Sequence, residues 1–101
     1  MNNIIKDKLE EIKLLCKKYK VKTMYVFGSG SSDDFRPTSD IDLLINFESL
    51  PLELYSDNYF DLHYKLSDLF NRQVDLVTEN SLSNPYFIQE VERTKKLIYA
   101  A

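Results

Sequence analysis

The chain contains two glycines, Gly28 and Gly30, and both lie in one turn. Glycine is costly in conformational freedom and is useful where backbone takes positive φ or must approach another group closely. Gly28-Ser29 closes the apolar run TMYVF, and a polar stretch follows it. Free backbone N–H groups in such a turn, with the Ser29 hydroxyl, suit phosphate oxygens. Downstream, Asp40 and Asp42 stand two residues apart, and Asp75 sits inside a later β-prone run, QVDLVT. Residues i and i+2 of a strand are about 6.5–7 Å apart. The carboxylates of Asp40 and Asp42 can therefore converge on one cation, or on two about 3.5–4 Å apart. Three carboxylates in one patch repel each other and raise at least one pKa, a penalty that a bound divalent cation removes. Phosphate donors beside cation-binding carboxylates are the requirements of phosphoryl or nucleotidyl transfer.

Composition narrows the cation. One cysteine, Cys16, excludes an internal disulfide, and with His63 as the only histidine there are too few soft ligands for structural zinc. Oxygen ligands point to magnesium or manganese. The net charge is −3, and the lysines are spread along helical segments. No basic stripe marks a nucleic-acid surface, so no direct nucleic-acid binding is expected. No apolar run approaches the roughly 20 residues of a membrane span, and the first residues lack a signal peptide's apolar stretch. The expectation is one domain over residues 1–101, in the cytoplasm, with no membrane partner.

The elements that must position these groups can be read from periodicity. Residues 3–19 predict an amphipathic helix with Ile5, Leu9, Ile12, Cys16 and Tyr19 on one side. Residues 23–28 predict a buried strand. The segment 29–39 is turn-rich, with room for a helical turn at 32–35. Residues 40–47 predict a second strand, with Ile41, Leu43, Ile45 and Phe47 on one face and Asp40 and Asp42 on the other. After a loop at 48–56, residues 57–70 predict a helix capped by Ser56 or Asp57 and ended by Asn71. A third strand is expected over 73–78, with Val74 and Leu76 in the core and Asp75 on the carboxylate face. Asn84-Pro85 then reads as a cap and first helical position, opening a helix over 85–95. Residues 97–99 predict a closing strand. The order, α-β-β-α-β-α, predicts an α+β two-layer domain with a small mixed sheet and helices on one face. Cys16 and His63 are expected to be structural. Tyr55, Tyr59, Tyr64 and Tyr86 are candidates for a partner surface.

The stretch VFGSGSSDDFRPTSDIDLLI resembles the signature of the DNA-polymerase-beta-like nucleotidyltransferase superfamily: a Gly-Ser turn, about ten residues, then Asp-x-Asp on a strand. QVDLVT resembles its third-carboxylate strand. The chain looks most like the minimal branch, whose members are often antitoxins. The resemblance implies that Gly28 and Ser29 hold the β- and γ-phosphates of a nucleoside triphosphate. It implies that Asp40, Asp42 and Asp75 bind two Mg ions, and that Asp75 also helps deprotonate the attacking hydroxyl. ATP is the implied substrate. The implied partner is a HEPN-domain toxin that receives AMP on a tyrosine, which makes a hetero-oligomer the expected assembly. Many relatives carry Arg directly after Gly-Ser, where this chain has Gly30; Arg36 is the candidate for that charge. Ser39 orients the loop before Asp40 or contacts the nucleotide. The alternative reading is a catalytically degenerate module that neutralises a toxin partner by binding alone.

Overall fold

The alternation of apolar and polar residues predicted above is realised in a four-stranded mixed sheet, ordered β3-β2-β1-β4. The structure, a computed structural model, describes residues 3–28 and 40–101. Two helices, α1 (Asn3–Asp7) and α2 (Leu9–Lys18), precede β1 (Val21–Phe27). Next come β2 (Ile41–Phe47), α3 (Leu52–Phe70) and β3 (Val74–Thr78). A short 3-10 turn at Glu79–Ser81 leads to α4 (Pro85–Thr94), and β4 (Lys96–Ala100) closes the sheet. β1 pairs antiparallel with both β2 and β4, whereas β2 and β3 run parallel and so need the α3 crossover between them. Among the described residues no helix is long and apolar enough to cross a membrane.

The expected first helix is broken at Lys8, yet its apolar period continues across the break: Ile5, Ile12 and Cys16 are all fully buried. They meet Leu62, Leu66 and Phe70 of α3 over the Met24, Val26, Leu43, Ile45, Val74 and Leu76 face of the sheet. Full burial of a Leu or Ile side chain contributes roughly 1.5–3 kcal/mol, so this layer holds the fold. Cys16 belongs to it, and burial pushes its thiol up to about 12, as for a small apolar residue.

Three features differ from the sequence expectation. α3 starts at Leu52, not 57, and its first turn has no side-chain cap; Pro51 precedes it. Leucines and glutamate in that turn are good helix formers. Tyr55 extends the buried stripe one turn back by packing edge-on against Phe47, at 5.2 Å between ring centroids. β1 starts at Val21, directly after Lys20, which takes a left-handed φ of 61°. Finally, α1–α3 lie on one face as expected, but α4 lies on the other. There Val91 is buried with Phe27 and Leu44, and the rings of Phe27 and Phe87 meet edge-on at 5.8 Å. The helix ends read from sequence are present: Asn71 is left-handed, and the Asn84 side chain accepts from the Tyr86 and Phe87 N–H groups ahead of Pro85.

Candidate active site

The second face of the sheet carries the carboxylates. Strand pairing sets Phe27 of β1 opposite Asp42 of β2, and Asp42 opposite Asp75 of β3. A single row across three strands therefore brings two of the predicted carboxylates side by side, with the end of β1 next to them. Gly28 follows Phe27 with φ of +65°, and a Cβ placed there would lie 2.9 Å from Asp42 Oδ2. Glycine is required at this position twice over, for its backbone conformation and for the approach of the carboxylate. The Gly28 N–H donates to Thr94 Oγ1 at 3.0 Å, and that hydroxyl donates to the Glu90 carbonyl at 2.9 Å. The entry to the glycine turn is thereby fixed to the last turn of α4.

Asp42 is half-buried, and its pKa is pushed up to about 6. Burial is the largest cause, followed by hydrogen bonding to Asp75, the charge of Asp75 and then that of Asp40. Asp75 and Asp40 are exposed. Asp40 stands one residue ahead of β2, on the Asp42 side by the strand period, and acts on Asp42 through its charge. Among the described residues no three His, Cys, Asp or Glu side chains stand together as a ready set of metal ligands. The structure thus joins Asp42, Asp75 and Gly28 closely and leaves Asp40 at the margin. Ser29, Arg36 and Ser39, and Gly30 with them, lie outside the described residues.

Asp42 and Asp75 open into a cleft of about 350 Å³, walled by Phe27, Phe87, Tyr59 and His63. His63 Nε2 lies 2.6 Å from the Val74 carbonyl oxygen, and the Tyr59 hydroxyl donates to the Leu76 carbonyl. These two α3 residues grip the backbone on either side of Asp75. Sequence reading gave His63 a structural place, and put Tyr59 on the apolar stripe of the helix expected over 57–70 as well as among the candidate partner-surface tyrosines. The signal for their grip was their i, i+4 spacing beside the apolar stripe of α3, where polar-tipped side chains can reach the carbonyls of an edge strand. Thr94 gave no sequence signal. A larger hollow of about 760 Å³ lies at the other end of β2, bordered by Lys18, Leu54 and Tyr64. Its Asp61 is already engaged by the Tyr19 hydroxyl, and it is remote from the glycine turn, so the smaller cleft is the chemical site.

A glycine turn at the end of one strand, with carboxylates on the next two, is the arrangement of a nucleotidyltransferase domain. The polymerase beta nucleotidyltransferase family profile matches residues 10–101, and the chain belongs to this family. A protein of Methanocaldococcus jannaschii, named as a candidate protein adenylyltransferase, is 42% identical over 87 residues, 86% of this chain and 84% of that one. A solved structure described as a candidate minimal nucleotidyltransferase superimposes with a TM-score of 0.73 at 29% identity, over 91% of this chain and 90% of the other. The fold is also shared with a toxin–antitoxin crystal structure containing AMP-PNP: TM-score 0.71, 26% identity, 92% of this chain and 73% of that one.

Proposed function

We propose that this chain is a single-domain, Mg-dependent adenylyltransferase that transfers AMP from ATP to a hydroxyl of a protein partner. In this reading it acts in the cytoplasm as the antitoxin of a HEPN-domain toxin. The observation that carries the reading is the Asp42–Asp75 pair held against Gly28. Its relatives support the acceptor class, since one is named for protein adenylylation and a structural neighbour is a toxin–antitoxin complex.

The residues fit a divalent cation. Their donors are carboxylate oxygens, Asp42 already resists ionisation beside Asp75, and no Lys or Arg among the described residues lines the cleft to balance them. Asp40, Asp42 and Asp75 would hold two Mg ions, which when bound lower the pKa of the attacking hydroxyl and offset charge on the leaving group. Gly28, whose N–H is taken by Thr94, lets the triphosphate approach the backbone closely, and Ser29 holds its β- and γ-phosphates, with Arg36 and Ser39 contacting the nucleotide. The acceptor oxygen attacks the α-phosphorus and forms the new P–O bond. The bond to the bridging oxygen breaks, and pyrophosphate leaves with its electron pair. Asp75, the more exposed of the adjacent pair, takes the hydroxyl proton.

The test is coexpression with a HEPN-domain toxin, followed by intact-mass measurement of that partner. The expected result is added AMP with the wild type and none with Asp42→Asn. A partner that is bound and neutralised, yet never gains nucleotide mass, would reject transfer. It would favour the contact-only reading, which Gly30 motivates by standing where many members of the family carry Arg.

A further inference from the structure

The sheet order gives the site a direction. Gly28 ends β1, Asp42 sits on β2 and Asp75 on β3, with β3 at the sheet's edge. In a single displacement at phosphorus, the attacking and leaving oxygens stand roughly in line on opposite sides. With the triphosphate held at the β1 end, the acceptor comes from the β3 side. Next to the cleft at Asp75 lies a second hollow of about 280 Å³, bordered by Tyr55, Ser56, Phe60 and Thr78. Tyr59 and Leu76, hydrogen-bonded to each other, border both, so the two lie side by side along the outer edge of β3 as a trough with Tyr59 between them.

The lining defines the occupant. An open strand edge usually invites a further strand. Here the Val74 and Leu76 carbonyls are already taken by His63 and Tyr59, so a ladder of backbone bonds is blocked and recognition falls to side chains. The second hollow is bordered by aromatic, aliphatic and hydroxyl groups with no charged residue. Asp75 and Thr78 are three residues apart on β3 and so face opposite sides of it. We infer that this trough is the acceptor-docking site, taking a protein segment that crosses the edge of β3 and places its hydroxyl at Asp75 and an apolar side chain between Tyr55 and Phe60. The inference rests on the transfer reading above and adds where, and by what chemistry, the acceptor is held.

The test compares Ser56→Trp, which fills the hollow from an exposed position, and Phe60→Ala, which removes a wall that is 65% exposed, with the wild type. Leu14→Ala, equally exposed on α2 and away from the trough, is the control. AMP transfer to the HEPN-domain toxin that serves as acceptor in the coexpression test is measured, with complex affinity and ATP hydrolysis to AMP. Expected are a rise of about tenfold or more in KM for the protein acceptor, an unchanged KM for ATP and unchanged hydrolysis, with Leu14→Ala like the wild type. Unaltered acceptor KM in both trough variants would overturn the inference. So would an equal loss of hydrolysis, since it would locate the damage in the nucleotide site. If the wild type binds the partner but transfers nothing, the transfer reading fails, and the trough is then judged by affinity: about tenfold weaker binding in the variants supports it, and unchanged affinity overturns it.

Discussion

The two faces of this sheet are built to different rules. On the α1–α3 face, the described strands contribute buried Met, Val, Leu and Ile side chains, and the helices answer with more of the same. On the α4 face, the buried cluster among the described residues is Phe27, Leu44 and Val91, and the same strands present Asp42 and Asp75 beside them. The first face supplies stability with little chemistry. The second uses a small apolar patch to desolvate one carboxylate, and so accepts a local electrostatic cost for function. Lone substitutions on the two faces should accordingly separate folding from ligand response.

The largest effect is expected on the first face. Leu62→Ala removes a fully buried side chain of α3 and should cost about 2–5 kcal/mol, read as a large drop in the midpoint of urea unfolding. A small loss would mean that the two faces share the load. Gly28→Ala comes next: the left-handed backbone alone costs roughly 1–2 kcal/mol, and the new Cβ would displace Asp42. AMP transfer should be lost while a folded domain remains by circular dichroism.

Asp42→Asn should act in the opposite direction. The folded-state pKa of Asp42 is raised above the unfolded value, from 3.8 to about 6, so the native state binds its proton more tightly than the unfolded chain does. The stabilising contribution is present below about pH 4 and is lost as pH rises through 6. In metal-free buffer near pH 7.5 the variant should melt a few degrees higher, equivalent to about 1 kcal/mol once solvent screening of a half-exposed group is allowed for. Its melting temperature should lack the fall between pH 4 and 6 seen in the wild type. The smallest effect is expected for Thr94→Val, which leaves the Gly28 N–H without its hydroxyl acceptor. Under about 1.5 kcal/mol should be lost, with a weaker melting shift on adding Mg-ATP as the sharper readout.

Much of the site was legible because period-two alternation is a strict geometric rule. It put Asp42 and Asp75 on one face and Leu43, Ile45, Val74 and Leu76 on the other, and pairing then aligned them. The position of α4 was hidden in the same strands. Leu43, Leu44 and Ile45 are all buried, and a continuous apolar run signals cover on both faces, but Asp40 and Asp42, ahead of Leu44 on the same face, made that face read as open. The early start of α3 was masked by Pro51 and by Ser56-Asp57, which resemble a helix boundary. Thr94 could not be found from sequence, because nothing local ties a threonine near one end of the chain to a glycine 66 residues earlier.

That separation also orders events during folding. The β1–β2 pair closes a short stretch of chain, whereas the bond from Gly28 to Thr94 closes one of 66 residues, and long closures are entropically slower to make. The tether from Gly28 to Thr94 therefore forms when α4 reaches the end of β1. A molecule that has paired β1 with β2 but not yet docked α4 would hold its carboxylates without that tether on Gly28.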